Sequence, residues 1–408
     1  MPRLLQGAMR SCINVSPRLS DTGSGGSGVL ARAQELGSLL VRVVTWNLQA
    51  RATAGAAALR EELLPPLQHH IYVVGTEECE NSIAKSVIIQ SKKNWDALLK
   101  ETLGPQYAVL GHALQASHNA NPNPNPPSPL PPPAPPPLQS KKNWEALLKE
   151  TLGPQYVMLC GHALQASHNV VFVHQAILPL ISRVRSFAVA TGLGTKTTKL
   201  GNKGGIGIAV EASIGSRVGQ TKVLFVNAHF AAHQNHVEER IEHFHQIQQE
   251  LLAAFGPACD DQPPPDCGPL RPLDSFDHVI WSGDLNFRIN APRPVCDLLL
   301  QKRMHEVLMA NEQLSIARAE GKVFEGYQEG PLGFMPTYKY DKGCDVFDTS
   351  PKQLYEYDAV TDLRSSDHRP VFATFRLPFT TPPLSPLPDA CGPPISLNQT
   401  TSEVCCVQ

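Results

Sequence analysis

Apolar residues run in short unbroken blocks along this chain, and each block closes on a polar group. Val41–Trp46, Ile71–Thr76, Val170–His174, Gly205–Val210, Val223–Ala228 and His278–Ser282 read as strands. Their apolar character is continuous rather than alternating, as in strands covered on both faces. Val237–Phe255 instead spaces Val237, Ile241, Phe244, Ile247 and Leu251 along one face of a helix. Val295–Ala319 also reads as largely helical. Many strands with interposed helices predict an α/β (α+β) fold, a four-layer sandwich of two packed mixed sheets flanked by helices.

The patterning starts near Val41 and fades after Arg376, which sets the expected organisation. Residues 1–38 are a disordered leader, 39–377 a catalytic domain, and 378–408 a disordered Pro-rich tail. The first twenty residues carry Arg3, Arg10 and Arg18 without an acid and run into the Gly/Ser stretch Gly23–Gly28, so a transit peptide is the alternative reading. The domain is interrupted over about residues 91–169. Ser91–Asn119 recurs almost verbatim as Ser140–Asn169, with NPNPNPPSPLPPPAPPP between the copies. A solenoid needs at least about three stacked repeats, so two near-identical copies read as a local duplication. One core holds one copy, and the other is expected to be extruded with the polyproline II tract. That tract is a spacer or an SH3-type ligand.

Charge and cysteines narrow the function. A net charge of −2 over 408 residues lacks the basic stripe of a nucleic-acid binder, so no nucleic-acid partner is expected. The ten cysteines form no CxxC spacing, which fits reduced thiols in the cytoplasm. No apolar run reaches the ~18 residues of a membrane-spanning helix. A monomer is expected.

Five polar clusters sit at or near strand ends: Trp46-Asn47, Glu77-Glu78, Asn227-Ala228-His229, Gly283-Asp284-Leu285-Asn286 and Ser366-Asp367-His368-Arg369-Pro370. Strand ends are where side chains from several strands converge. Hydrolysis of a phosphate ester needs a water nucleophile, a group to orient it, and donors or cations for the phosphoryl oxygens. Glu78 with Asn47 supplies the partial oxygen shell that magnesium takes. Asp284 can accept a proton from water. Asn286 follows two residues on, on the same side of an extended chain. His229 and His368 can donate to phosphate oxygens.

The stretches VVTWNLQA, YVVGTEE, GNKGGIGIAV, FVNAHFAAHQ, VIWSGDLNFRI, PTYKYD and SDHRPV resemble the inositol polyphosphate 5-phosphatase family, within the deoxyribonuclease-I-like phosphoesterases. The resemblance covers most of Arg42 to Arg376. It implies a deoxyribonuclease-I-like sandwich and magnesium-dependent removal of a 5-phosphate from phosphoinositides or soluble inositol polyphosphates, by direct in-line attack of water. Glu78 and Asn47 would hold magnesium, with Asp367 near it. Asp284 would orient water, Asn286 and His229 would hold the scissile phosphate, and His368 would contact the phosphoryl group. Asn202, Lys203, Tyr338, Lys339, Lys352 and Arg369 would face substrate. One departure is plain: the family's Pro-Trp-x-Asp-Arg segment is absent, since DTSPKQ runs straight into LYEYD. That segment brings a central strand and the Asp that pairs with the histidine at His368. Its loss motivates the alternative, a catalytically impaired phosphoinositide-binding or scaffold relative.

The chain given ends Cys405-Cys406-Val407-Gln408, a C-a-a-X pattern with the terminal Gln that favours farnesyl. This resembles the family's prenylated subgroup and predicts a cytoplasmic protein held peripherally on a membrane through Cys405. One lipid chain binds only marginally, and Cys391 is the candidate for a second.

Overall fold

Ser38–Asn47 (β1) is buried along all of its 10 residues because it is covered on both faces and paired on both edges. The computed structural model describes residues 26–49, 55–79, 141–191, 193–195, 198–200, 203–214, 219–255, 276–330, 332, 334–338, 357–379 and 402–404. In one sheet the order is β12 (Tyr357–Ala359), β13 (Val371–Pro378), β1, β2 (Ile71–Glu77), β4 (Ser167–His174), β3 (Tyr156–Leu164). In the other it is β11 (Tyr327–Glu329), β14 (Ser402–Val404), β10 (His278–Asp284), β9 (Gly219–His229), β8 (Gly204–Ile214), β5 (Ile181–Ala190). β6 (Leu193–Thr195) and β7 (Thr198–Leu200) form a separate ribbon.

Strand parity builds the layers. Val41, Val43, Val73, Val171 and Val173 from the first sheet meet Ile208, Val210, Phe225 and Ile280 from the second. The intervening residues face outward. Val44, Trp46, Tyr72, Val74 and Phe172 pack on α2 (Ala56–Glu62) and α3 (Lys141–Leu152). Leu224, Val226, Val279 and Trp281 pack on α4 (Val237–Phe255), through Ile241, Phe244, Ile247 and Leu251. The expected helix–sheet–sheet–helix sandwich is thus present.

Two features differ from the sequence reading, and two others gain detail. α1 (Gly26–Leu36) lies in the stretch read as a disordered leader, yet Val29 and Ala33 join the core between the sheets. Residues 402–404, read as disordered tail, lie between β10 and β11, pairing Glu403 with Ile280 and Gln328. They supply a strand in a fold that the missing segment was expected to leave one short. The stretch read as largely helical holds three helices: α5 (Arg293–Gln301), α6 (His305–Met309) and α7 (Gln313–Ala319). Arg303 breaks the first pair with a left-handed φ of 55°, and Ile289 bridges to Glu312 before α7. Of the duplicated segment, the second copy forms α3 and β3, with Trp144 and Leu148 fully buried. The first copy and the Pro tract lie outside the described residues.

Candidate active site

The parity that builds the core between the sheets also aims the site. Following Val43 and Val73 by even steps reaches Asn47 and Glu77; following Phe225 and Ile280 reaches His229 and Asp284. β1 and β2 run parallel, as do β9 and β10, so these ends come together where apolar packing gives way to polar side chains. Two glycines permit the approach. A Cβ at Gly75 would lie 2.1 Å from Asn227 Oδ1 on the facing sheet. Gly283 takes a φ of +132°, and a Cβ there would meet the Ala228 carbonyl at 1.9 Å. Beyond the strands the chain turns through left-handed residues at Gln49, Glu78 and Asn286.

Asp284 is the hub. Its Oδ2 accepts from Asn47 Nδ2 at 2.9 Å, with His229 Nε2 at 3.5 Å and His368 Nε2 at 3.7 Å. Its Oδ1 accepts from the Asn286 backbone N–H at 3.1 Å. Burial alone would raise its pKa, but His229, His368, Lys203 and the Asn47 amide together hold it at about 2. Lys203 Nζ meets His229 Nε2. The other ring nitrogen, Nδ1, is buried without a hydrogen-bond partner. Burial, and then the Lys203 cation, keep His229 well below its ordinary pKa. Burial also lowers Lys203, against the pull of Asp284, Glu78 and Glu77.

His368 is oriented from three sides. Its Nδ1 meets Asp367 Oδ1 at 2.9 Å, and Asp367 Oδ2 accepts from Gln49 Nε2 at 2.6 Å. Its carbonyl accepts from Trp46 Nε1 at 3.0 Å. Tyr338 stacks on its ring at 4.2 Å between centroids. The Arg288 guanidinium lies 4.6 Å over Tyr338 and donates to Asn286 Oδ1 at 2.6 Å.

The expected residues Asn47, His229, Asp284, Asn286, Asp367, His368, Lys203 and Tyr338 are therefore linked by this chain of contacts. Both oxygens of Asp367 serve His368 and Gln49, so the carboxylate read as lying near a metal is engaged in holding the histidine. Arg369, read as a substrate contact, has a fully buried side chain that donates to the Ser366 carbonyl at 3.0 Å. Asn202, Lys339, Lys352 and Cys405 lie outside the described residues.

Sequence reasoning left four residues of this region without a role. Arg288 stands inside WSGDLNFRI, two residues after Asn286; its contact with Tyr338 joins segments distant in sequence. Gln49 and Asn227 flank residues that were singled out. Glu77 is the fourth. It is wholly buried, and no hydrogen bond reaches either carboxylate oxygen. Burial and then Asp284 push its pKa well above the ordinary range, partly offset by Asn227 and Lys203. Its neighbour Glu78 is half-buried in the turn beyond β2.

Among the described residues no three His, Cys, Asp or Glu side chains are grouped to hold a metal by themselves. That excludes a ready-made zinc-like set within them and leaves room for a hard cation, which takes one or two carboxylates and keeps several waters. The partnerless oxygens of Glu77, with Glu78 and Asn47 beside them, fit that demand. Asn47 Oδ1 already accepts from the Gln49 N–H at 3.1 Å, which fixes its direction.

A family model described as Endonuclease/Exonuclease/phosphatase family 2 matches residues 44–355. Human phosphatidylinositol polyphosphate 5-phosphatase type IV is 30% identical over 393 residues, covering 86% of this chain and 49% of its own length. Synaptojanin of Caenorhabditis elegans is 31% identical over 228 residues, 51% of this chain and 18% of its own. This chain thus spans about half the length, or less, of these curated relatives. Among solved structures, the inositol polyphosphate 5-phosphatase domain of SpSynaptojanin, in complex with inositol (1,4)-bisphosphate and calcium, matches with a TM-score of 0.56 and 23% identity. It covers 86% of this chain and 90% of that one, a likeness that shows the fold.

Proposed function

This chain belongs to the endonuclease/exonuclease/phosphatase family 2, and from that premise we propose that it removes the 5-phosphate of phosphoinositides or soluble inositol polyphosphates by direct attack of water. The observation that carries the reading is the convergence on Asp284 of Asn47, His229 and His368 from three separate strands or loops. Such a set can hold a water and a phosphoryl group at once. Asp284 accepts from the water, and the Asn286 backbone N–H holds its carboxylate in place. His368, held by Asp367, donates to the phosphoryl oxygens. Lys203, against His229, is placed to meet the incoming phosphate with its cation. Tyr338 and Arg288 wall the substrate side; by resemblance Asn202, Lys339 and Lys352 face substrate there, the two lysines adding positive charge.

Glu78, Glu77 and Asn47 would hold magnesium. When bound, the cation neutralises phosphoryl charge and positions oxygens. The second reading, a binding relative without catalysis, rested on the missing segment. Asp367 beside His368 and β14 in the second sheet favour the enzyme. The test is phosphate release from phosphatidylinositol 4,5-bisphosphate and 3,4,5-trisphosphate with and without magnesium, beside Asp284→Asn. We expect release that needs the cation and falls by about 10²-fold or more in the variant. No release from folded wild-type chain would favour the binding relative.

Farnesylation at Cys405, with peripheral attachment to a cytoplasmic membrane face, remains part of the reading from the sequence. Intact mass of chain isolated from cells checks it; an unmodified mass would refute it. A pull-down with SH3 domains decides between ligand and spacer for the Pro tract.

A further inference from the structure

The hydrophobic face that the rest of the fold does not use lies at the rim of the site. Residues 290–311 leave the body as a helical hairpin, α5 and α6, closed at its base by the Ile289–Glu312 bridge and by backbone bonds from Asn290 to Asn311 and from Gln313 to Arg288. α5 has no buried residue. Its polar positions Arg293, Asp297 and Gln301 share one stripe, tied by the Arg293–Asp297 pair at 2.6 Å. Val295, Leu298 and Lys302 share the opposite stripe. Val295 is 44% exposed, Leu298 49%, Met304 43% and Val307 39%. A soluble chain rarely groups this many large apolar side chains in the open unless they meet a partner.

We propose that this hairpin is a membrane-docking surface, whose partner is an anionic lipid bilayer. Charge and position both select that occupant. Lys302 and Arg303 stand exposed at the turn between the helices, beside Met304, so cations flank the apolar residues. That is the arrangement of a segment that sinks apolar side chains below anionic headgroups. The base of the hairpin is also the rim of the catalytic mouth: Arg288, which contacts both Asn286 and Tyr338, immediately precedes the bridging Ile289. Docking there brings the mouth to the lipid surface. The consequence for catalysis rests on the activity proposed above; the binding itself does not.

The experiment uses the full-length chain with Cys405 unmodified, and vesicles of phosphatidylcholine with and without phosphatidylserine. Wild type is compared with Leu298→Asp/Met304→Asp for vesicle flotation, for hydrolysis of lipid substrate in the vesicles, and for hydrolysis of a soluble inositol polyphosphate. We expect the variant to bind anionic vesicles about tenfold more weakly or worse. Hydrolysis in vesicles should fall in step, with soluble hydrolysis and the unfolding temperature unchanged. Unchanged flotation would overturn the proposal. Equal loss on the soluble substrate would also overturn it, by placing the fault in the fold or the site. A wild-type dimer dissolved by the substitutions would assign the face to a second copy instead. If wild type hydrolyses neither substrate yet floats and the variant does not, the activity reading fails while the docking surface stands.

Discussion

His368 keeps an acidic partner although the segment expected to supply one is missing. Asp367, its neighbour in sequence, meets Nδ1 at 2.9 Å and is itself held by Gln49. A residue in this position fixes ring orientation, and misplacing a catalytic group costs about 10²-fold. Asp367→Asn should therefore lower kcat by roughly 10–10²-fold with KM nearly unchanged. If the variant instead raises the magnesium concentration needed for half-maximal rate, Asp367 belongs to the cation and not to the histidine. Gly75 makes a second prediction at this scale. An added methyl would lie 2.1 Å from Asn227 Oδ1, between two strands that cannot part without opening the layer. Gly75→Ala should destabilise by about 1–3 kcal/mol, read as a lower denaturation midpoint at unchanged slope.

A strand of three residues closes a gap at the scale of elements. β14 pairs with β10 on one side and β11 on the other, so removing it exposes two strand edges at once. Deleting residues 402–408 should lower the unfolding temperature and increase aggregation on heating. An identical melt would show that the strand contributes nothing to stability. The duplicated segment divides in the same way. Among the described residues, the second copy packs its helix into the core through Trp144, Leu148 and Leu152. Trp144→Ala should cost about 3–5 kcal/mol, as other large-to-small core changes do. With that place taken, Trp95→Ala in the first copy should leave stability unchanged; equal losses would mean that both copies pack in cores.

For the whole molecule, acid is a specific weakness. Burial, with Arg42 and His70 beside it, lowers the His69 pKa from 6.5 to about 3. The folded chain therefore holds this ring neutral while the unfolded chain protonates it, and stability falls as pH drops from about 6.5 toward about 3. Denaturation midpoints across that range should show the slope, and His69→Gln should flatten it. The sequence by itself determined the layers and the polar residues that gather at the candidate site, because both are local. Buried strands write themselves as apolar runs, and the polar pairs that end them can be read off directly. It also determined the family, through SGDLNFR, GNKGG and SDHRPV. What it did not determine were contacts between segments distant in the chain. Glu78 and Glu77 look equivalent as a pair, and only strand parity sends Glu77 into the space between the sheets. Arg369 sits in a sequence motif, yet its side chain is fully buried and donates to the Ser366 carbonyl. Arg288 gains its place only when Tyr338 reaches it across fifty residues. The leader helix and β14 were read as disorder because their partners lie far along the chain. A run of residues records its own periodicity, but the surface it packs against belongs to another part of the sequence, and only the folded sheets brought the two together.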